Sequence, residues 1–218
     1  MMKKNIWRKG QAVLYIGLAI LSLLTGCNNA GLTLSPSEQQ ETTSTQKENS
    51  YSKKFRDLTD EVFRNELEAN TLNLHYTLAY PENYGIDSYE ITFGDYSMES
   101  YEEAHAELID LQKKLEEIRP EQLEGEGLLT YKILKDYVET ELSIEDLSLY
   151  GEILSPTLGL QAQLPILMAE YTFRVERDIE DYLGLLGKLD ETYAQIIERE
   201  REKSENGLFM SDKTADDI

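Results

Sequence analysis

His75 and His105 are the two imidazoles of the 218-residue chain. His105 follows Glu102 by three residues, which on a helix sets a carboxylate and an imidazole on one face. Di-iron bundles use that spacing, but they need it twice, with two further glutamates. His75 lies between Leu74 and Tyr76 and has no acid at the matching position. Neither histidine belongs to a His-Glu-x-x-His array, which sets two imidazoles one turn apart on zinc. Glu102 and His105 therefore read as a surface pair, and His75 as a partly buried packing residue donating one hydrogen bond. The carboxylate pairs Glu102-Glu103, Glu116-Glu117 and Asp216-Asp217 fall on polar helix faces or at the frayed end. Paired acids cleave glycosides only where their surroundings drive the two pKa values apart. Gly125-Glu126-Gly127 lacks the Lys and Ser or Thr of a phosphate cradle, and its acid repels phosphate. No Gly-x-Ser-x-Gly elbow is present. No catalytic, cofactor-binding or metal-binding residue is assigned in this chain.

The tyrosines stand out more. Tyr76, Tyr80, Tyr84, Tyr89, Tyr96 and Tyr101 cluster in one irregular stretch. Aromatic faces and hydroxyls of this kind can line a sugar- or peptide-binding cleft. The simpler reading, favoured here, is that they wedge a long loop against helices.

Cys27 is the single cysteine, so no intramolecular disulfide forms. Lys3, Lys4, Arg8 and Lys9 open the chain, an uncharged apolar run covers residues 12–24, and Leu24-Thr25-Gly26-Cys27 follows. A basic start, a short apolar core and small residues before a cut site make an export signal. The run is shorter than the about 20 residues a spanning helix needs. The alternatives are an uncleaved anchor or a buried apolar helix. The tetrad resembles the lipobox of bacterial lipoproteins, which implies cleavage before Cys27 and acylation of its thiol. Each buried acyl CH₂ contributes about 0.8 kcal/mol, and stable anchoring needs more than one chain. A diacylglyceryl group with palmitate-like chains on Cys27 meets that need. The mature protein is then expected outside the cytoplasm, tethered to the cell membrane.

Residues 1–26 thus form a lipoprotein signal peptide, and 27–50 a flexible tether rich in Ser, Thr, Gln, Glu and Asn. Residues 51–218 form the body, one domain's worth of chain. The formal net charge is −21, and the signal carries four of the basic residues. Nucleic acid is excluded as a partner, because phosphate binding needs clustered Lys and Arg. The bland reading is a self-repelling outer surface.

The body reads as all-α: a bundle of long antiparallel amphipathic helices with one irregular Tyr-rich connection. Phe55, Leu58, Val62, Phe63 and Leu67 share one face of a helix over residues 51–70. Leu72, Leu74 and Leu78 continue as a short helix before Tyr80-Pro81. Tyr89, Ile91 and Phe93 alternate, giving either a short strand or an ordered loop. Ser97 or Ser100 caps the next helix, Ser100 with Glu103 as a capping box. Tyr101, Ala104, Leu108, Leu111, Leu115 and Ile118 step by three and four as a heptad stripe, ended by Arg119-Pro120. A helix over 125–150 turns Leu128, Tyr131, Leu134, Val138 and Leu142 inward, with Ile133, Tyr137, Ile144 and Leu147 packing on a second side. Residues 160–171 form a short buried helix whose Pro165 belongs near its first turn. The last long helix starts near Arg177-Asp178, with Ile179, Tyr182, Leu186, Leu189, Tyr193 and Ile196 as its stripe. Its charged turns 198–203 should lie in water, and Asn206-Gly207 closes it. Residues 211–218 read as the cap and first turn of a further helix, so the chain is expected to be part of a longer protein. No repeat of fixed period appears.

The order of these features resembles a known family. Phe55-Arg56-Asp57-Leu58 is followed by Leu72-Asn73-Leu74-His75, Tyr84-Gly85-Ile86 and Gly94-Asp95-Tyr96-Ser97. Further on stand Pro156-Thr157-Leu158-Gly159-Leu160-Gln161, Leu164-Pro165, residues 178–186 and Gly207-Leu208-Phe209. Together they look like the N-terminal part of the bacterial domain-of-unknown-function family 885, long helical proteins resembling zinc metallopeptidases. The resemblance implies that this chain is the N-terminal half of a larger catalytic domain, one wall of a substrate cleft. Zinc and its His-rich motif are expected only in the full-length parent, beyond Ile218, with a peptide as substrate and the C-terminal half as partner. The alternative is a non-enzymatic, lipid-tethered helical binding or scaffold module at the cell surface.

Overall fold

The computed structural model describes residues 50–218. The signal, Cys27 and the tether through residue 49 lie outside the described residues. The helices are α1 (Ser50–Glu68), α2 (Thr71–Thr77), α3 (Met98–Glu116), α4 (Gly125–Ser143), α5 (Leu160–Ala169), α6 (Glu176–Glu205) and α7 (Asp212–Asp216). The fold is all-α, with no β-strand among the described residues. No described helix is long and apolar enough to cross a membrane.

Two larger cores hold the chain. Phe55 and Leu58 of α1, Leu115 of α3, Ile118 and Leu123 of the connection, and Tyr131 and Val138 of α4 make the first. Leu108, Leu111, Leu128, Leu134 and Leu142 pack around it, as their spacing predicts. The short connection after Glu116, with its 3₁₀ turn Pro120–Gln122, folds α4 back on α3. The second core joins Leu72, Phe93, Tyr96, Ile153, Leu160, Leu164, Met168, Tyr171, Leu185 and Ile196, drawn from α2, three loops, α5 and α6. Leu67, Leu74, Leu78 and Ile86 form a smaller cluster between α1 and α2.

Residues 89–93 form a loop, not a strand. Their backbone bonds to one threonine of α2 instead of a neighbouring strand. Thr71 donates its backbone N–H to Thr92 O at 2.9 Å and its hydroxyl to Glu90 O at 3.2 Å, and Thr92 N–H returns to Thr71 Oγ1 at 3.0 Å. Ser97 caps α3, its side chain accepting from Ser100 N–H at 3.2 Å. Ser100 lies inside the first turn, 1 % exposed, so the Ser100–Glu103 box does not form.

Three further expectations are corrected. Helix α4 stops at Ser143, and a kinked 3₁₀ segment, Glu145–Tyr150, follows. Of the second apolar side expected on α4, Tyr137 packs against the first core, while Ile133, Ile144 and Leu147 are exposed. Pro165 sits in the interior of α5, not in its first turn. A proline there deprives the carbonyl four residues back of its N–H, a cost of about 3 kcal/mol that tertiary packing must offset. Leu160, Leu164 and Met168 are buried on that helix.

The largest correction concerns α6. Its buried residues are Asp178, Asp181, Leu185, Thr192, Ile196, Arg199, Glu200 and Lys203, while Ile179 and Leu186 are exposed. In the charged last turns, Arg199, Glu200 and Lys203 are buried, while Glu198 and Arg201 stay exposed. Lys203 Nζ bonds Glu152 Oε2 at 2.8 Å and Gly151 O at 3.3 Å, and lies 3.6 Å from Glu200 Oε1. Arg199 donates to Ser148 O, and its guanidinium stands 4.1 Å from the Tyr101 ring centroid. The helix therefore uses two cations to hold the 148–152 segment, Arg199 on Ser148 O, which also accepts Gly151 N–H at 3.4 Å, and Lys203 on Gly151 O. Asn206-Gly207 closes α6 as expected. Gly207 has φ 71°, Gly207 N–H bonds Ser204 O at 3.1 Å, and Leu208 N–H bonds Lys203 O at 2.8 Å, the paired bonds of a Schellman motif. Midway along α6, Gly184 lies so close to the 89–93 loop that an added Cβ would stand 2.8 Å from Ile91 Cδ1.

Candidate functional site

The densest polar and aromatic cluster surrounds the first turn of α6. Asp178 is the third residue of that helix, and its carboxylate reaches back over the helix start. Asp178 Oδ2 accepts Val175 N–H at 2.9 Å and Arg174 N–H at 2.6 Å. Such a reach-back bond satisfies donors that the first turn leaves open, and it places negative charge at the positive end of the helix dipole. Asp178 Oδ1 then faces His75 Nδ1 at 3.6 Å, delivered by α2. The His75 ring stacks on Tyr171 at 3.7 Å between centroids and 11° between planes. Tyr76 and Tyr182 meet Tyr171 edge-on at 6.5 and 5.2 Å.

Electrostatics follow from burial. His75 is 5 % exposed. Burial, then the neighbouring Arg174, hold its pKa below the usual imidazole value, against the pull of Asp178. The neutral ring is the stable form. Asp181, one turn along, accepts from Tyr89 Oη at 2.5 Å. Burial raises its pKa, and the Tyr89 bond opposes that rise. Tyr76 Oη donates to Leu167 O at 2.6 Å, while Tyr171 Oη is buried without a hydrogen-bond partner.

An imidazole beside a carboxylate is the base half of a nucleophilic site. Among the described residues, no serine, threonine or cysteine side chain bonds to His75 or Asp178. The pair orders the head of α6 and the segment before it. Among the described residues, no group of three or more His, Cys, Asp or Glu side chains could hold a metal ion.

The sequence readings fall into place around this cluster. His75 is more deeply buried than expected and is a packing residue, as read. Glu102 and His105 lie on α3, remote from it in sequence, with Glu102 exposed. The tyrosines divide. Tyr76, Tyr89 and Tyr96 wedge the loop against helices, and Tyr101 packs under Arg199. Tyr80 and Tyr84 are exposed, Tyr84 resting on Phe63. Asp178, Asp181, Arg174 and Tyr171 were missed. The signal available for Asp178 was its third place in the helix, where acids reach back to the cap.

Next to the cluster runs an exposed apolar row. Phe173, which touches both Tyr171 and Tyr182, is 53 % exposed, and Ile179, Leu183 and Leu186 on α6 are 49 %, 61 % and 43 % exposed. Residues three and four apart share a helix face, so the last three form one continuous strip.

No curated protein and no solved structure matches the chain. The family described as "Bacterial protein of unknown function (DUF885)" matches residues 81–217, well over half of the sequence. That span holds the loop from Pro81 to Ser97, α3 to α7 and the buried head of α6, but neither α1 nor α2 with His75, and the chain belongs to the DUF885 family.

Proposed function

We propose that this chain is the helical N-terminal wall of an exported, lipid-anchored, zinc-peptidase-like protein, with the wall's inner face at the head of α6. The carrying observation is the strip Ile179, Leu183 and Leu186, continued by Phe173. Isolated apolar residues on a surface are ordinary, but a contiguous row beside a rigid aromatic cluster marks a contact surface. Family membership supports the reading, and the Leu24-Thr25-Gly26-Cys27 tetrad supports the lipid anchor. The wall orients a peptide by apolar contact and leaves hydrolysis to residues outside this chain.

Two measurements test the proposal. Mass spectrometry of the exported protein should find Cys27 as an acylated amino terminus. Peptide hydrolysis by the product of the whole reading frame should fall in Leu183→Glu, through KM or through loss of docking of the remaining chain, with the fold intact by circular dichroism. An unprocessed amino terminus, or a Leu183→Glu protein with unchanged hydrolysis, overturns it.

A further inference from the structure

Residues 86–93 run between two glycines in the left-handed region, Gly85 at φ 77° and Gly94 at φ 101°. Glycine takes those angles without strain, so the chain turns sharply at both ends of one short segment. Ile86 and Phe93 plug those ends into the interior, at 0 % and 1 % exposure. Between them, Asp87, Ser88 and Glu90 face solvent. On one side, Thr71 of α2 pins the segment through Glu90 O and Thr92. On the other side, two contacts hold it on α6. The Tyr89 hydroxyl donates to Asp181 Oδ2 at 2.5 Å, and Ile91 rests where Gly184 has no side chain.

The Tyr89 bond has competitors. Tyr171 Oη is sealed from solvent without a hydrogen-bond partner, on a side chain 6 % exposed. Arg177 Nε is sealed and unpartnered too. Both groups act on Asp181. Burial, then the Asp181 charge, raises the Tyr171 pKa, and the Arg177 charge joins the Tyr89 bond in opposing the burial that raises Asp181. The Arg177 guanidinium stands 5.9 Å from the Tyr89 ring centroid. Three donors thus contend for one buried carboxylate, and among the described residues only Tyr89 bonds to it. A buried donor without an acceptor is destabilising, so this arrangement carries two unmet groups. Losing Tyr89 elsewhere would strand a buried carboxylate; here other donors stand ready.

We infer that residues 87–91 are a flap pivoting on Thr71 between two states, closed with Tyr89 on Asp181 and open with the Tyr171 hydroxyl in its place. Bistable elements of this kind exchange one set of partners for another instead of deforming gradually. Arg177 Nε gives the open state a second donor for the same carboxylate. Opening uncovers Asp181, Gly184 and the Tyr171 hydroxyl. Tyr171 touches the exposed Phe173 ring, so the uncovered polar patch joins the apolar row at the head of α6. Access to that patch is what the flap controls. The inference stands whether or not the chain is a peptidase wall, since it rests on bonds within the chain.

NMR relaxation dispersion on the full chain, labelled at isoleucine methyls and backbone amides, tests it on the microsecond-to-millisecond scale of such motions. In the unsubstituted protein, the Ile91 methyl and the amides of residues 87–91 should share one exchange process that the Val138 amide of the apolar core lacks. That readout is independent of any variant's folding. Tyr89→Phe should raise the open population about tenfold or more, the loss expected for one charge-assisted hydrogen bond in the closed state. Tyr171→Phe should lower it, because the open state loses its donor, whereas a Tyr171 that only packs would leave it unchanged. Gly184→Ala should favour the open state by pressing on Ile91. Tyr84→Phe, on the exposed turn before the flap, should change nothing. An Ile91 methyl without exchange in both the unsubstituted protein and Tyr89→Phe, or an open population unmoved or raised by Tyr171→Phe, would overturn the inference.

Discussion

Val138 and Lys203 are equally hidden, at 1 % and 0 % exposure, yet they are held inside by different physics. Val138 belongs to a core of α1, α3 and α4 built from apolar side chains, where burial contributes about 25 cal/mol per Å² removed from water. Lys203 belongs to α6, which buries two cations, three acids and a threonine along with its leucine and isoleucine. There each charge must recover in specific partners what it loses in hydration. The first core tolerates any filler of similar volume. The second depends on matched groups, and this ties it to particular loops: 148–152 by Arg199 and Lys203, and 89–93 by Asp181.

The contrast sets an order of experiments. Lys203→Ala should be the most damaging single change. It leaves Glu200, 7 % exposed with neither oxygen hydrogen-bonded, beside an empty site. Removing one partner of a buried pair costs about 3–5 kcal/mol. The double variant Lys203→Met with Glu200→Gln should recover much of that loss in urea unfolding. If Lys203→Ala costs less than 1 kcal/mol, the two regions do not differ as described. Leu115→Ala, in the apolar core, should cost about 3 kcal/mol by leaving a cavity. No second substitution among charged residues should rescue it. Tyr89→Phe should cost about 1–2 kcal/mol by stripping buried Asp181 of its 2.5 Å donor.

Acid and base should then separate the regions. A cavity of about 120 Å³ among α1, α3 and α4 is flanked by Glu66 and Glu107. Burial raises Glu66 to about 7. Burial, then repulsion from Glu103 and Asp110, raises Glu107 to about 7. Their folded pKa values exceed the ordinary 4.5, so the folded chain keeps protons that the unfolded chain has released. Stability conferred there falls as pH rises from about 4.5 to about 7. His75 acts in the opposite sense. Its folded pKa lies below the ordinary 6.5, so the unfolded chain gains the proton first and stability falls as pH drops below that value. Glu66→Gln should flatten the loss toward alkaline pH, and His75→Phe the loss toward acid, in melts followed from pH 5 to 8. An unchanged pH profile in Glu66→Gln removes the distinction.

The apolar core was legible because its residues announce themselves. Leu108, Leu111, Leu115 and Ile118, and Leu128, Tyr131, Leu134 and Val138, are apolar at helical spacing, and that spacing alone determines the face. On α6, Tyr182, Leu189, Tyr193 and Ile196 pack on the second core as their spacing predicts, while Ile179 and Leu186 are exposed and buried polar residues take part of the inner face. The residues that turn inward are Leu185, Leu189, Thr192, Ile196, Arg199 and Lys203, still stepping by four and three. The period ran on through the charges, and hydrophobicity is blind to them. The partners that make those charges tolerable come from residues 148–152, some fifty positions away, and no local pattern signals them. The candidate site was illegible for the same reason: His75, Tyr171 and Asp178 lie on separate elements and meet only when the chain is folded.

Gly184 and Gly187 are neighbours on one helix, and a protein engineer would treat them alike, since alanine is the better helix former by about 1 kcal/mol. They should answer in opposite directions. Nothing lies within 4 Å of a methyl added at Gly187, so its replacement by alanine should raise the melting temperature. At Gly184 the same methyl would press on Ile91 and lift the connecting segment off the rod beneath it. The weak spot in that helix is a seat cut for its neighbour, and filling it would trade a local gain for a larger loss elsewhere.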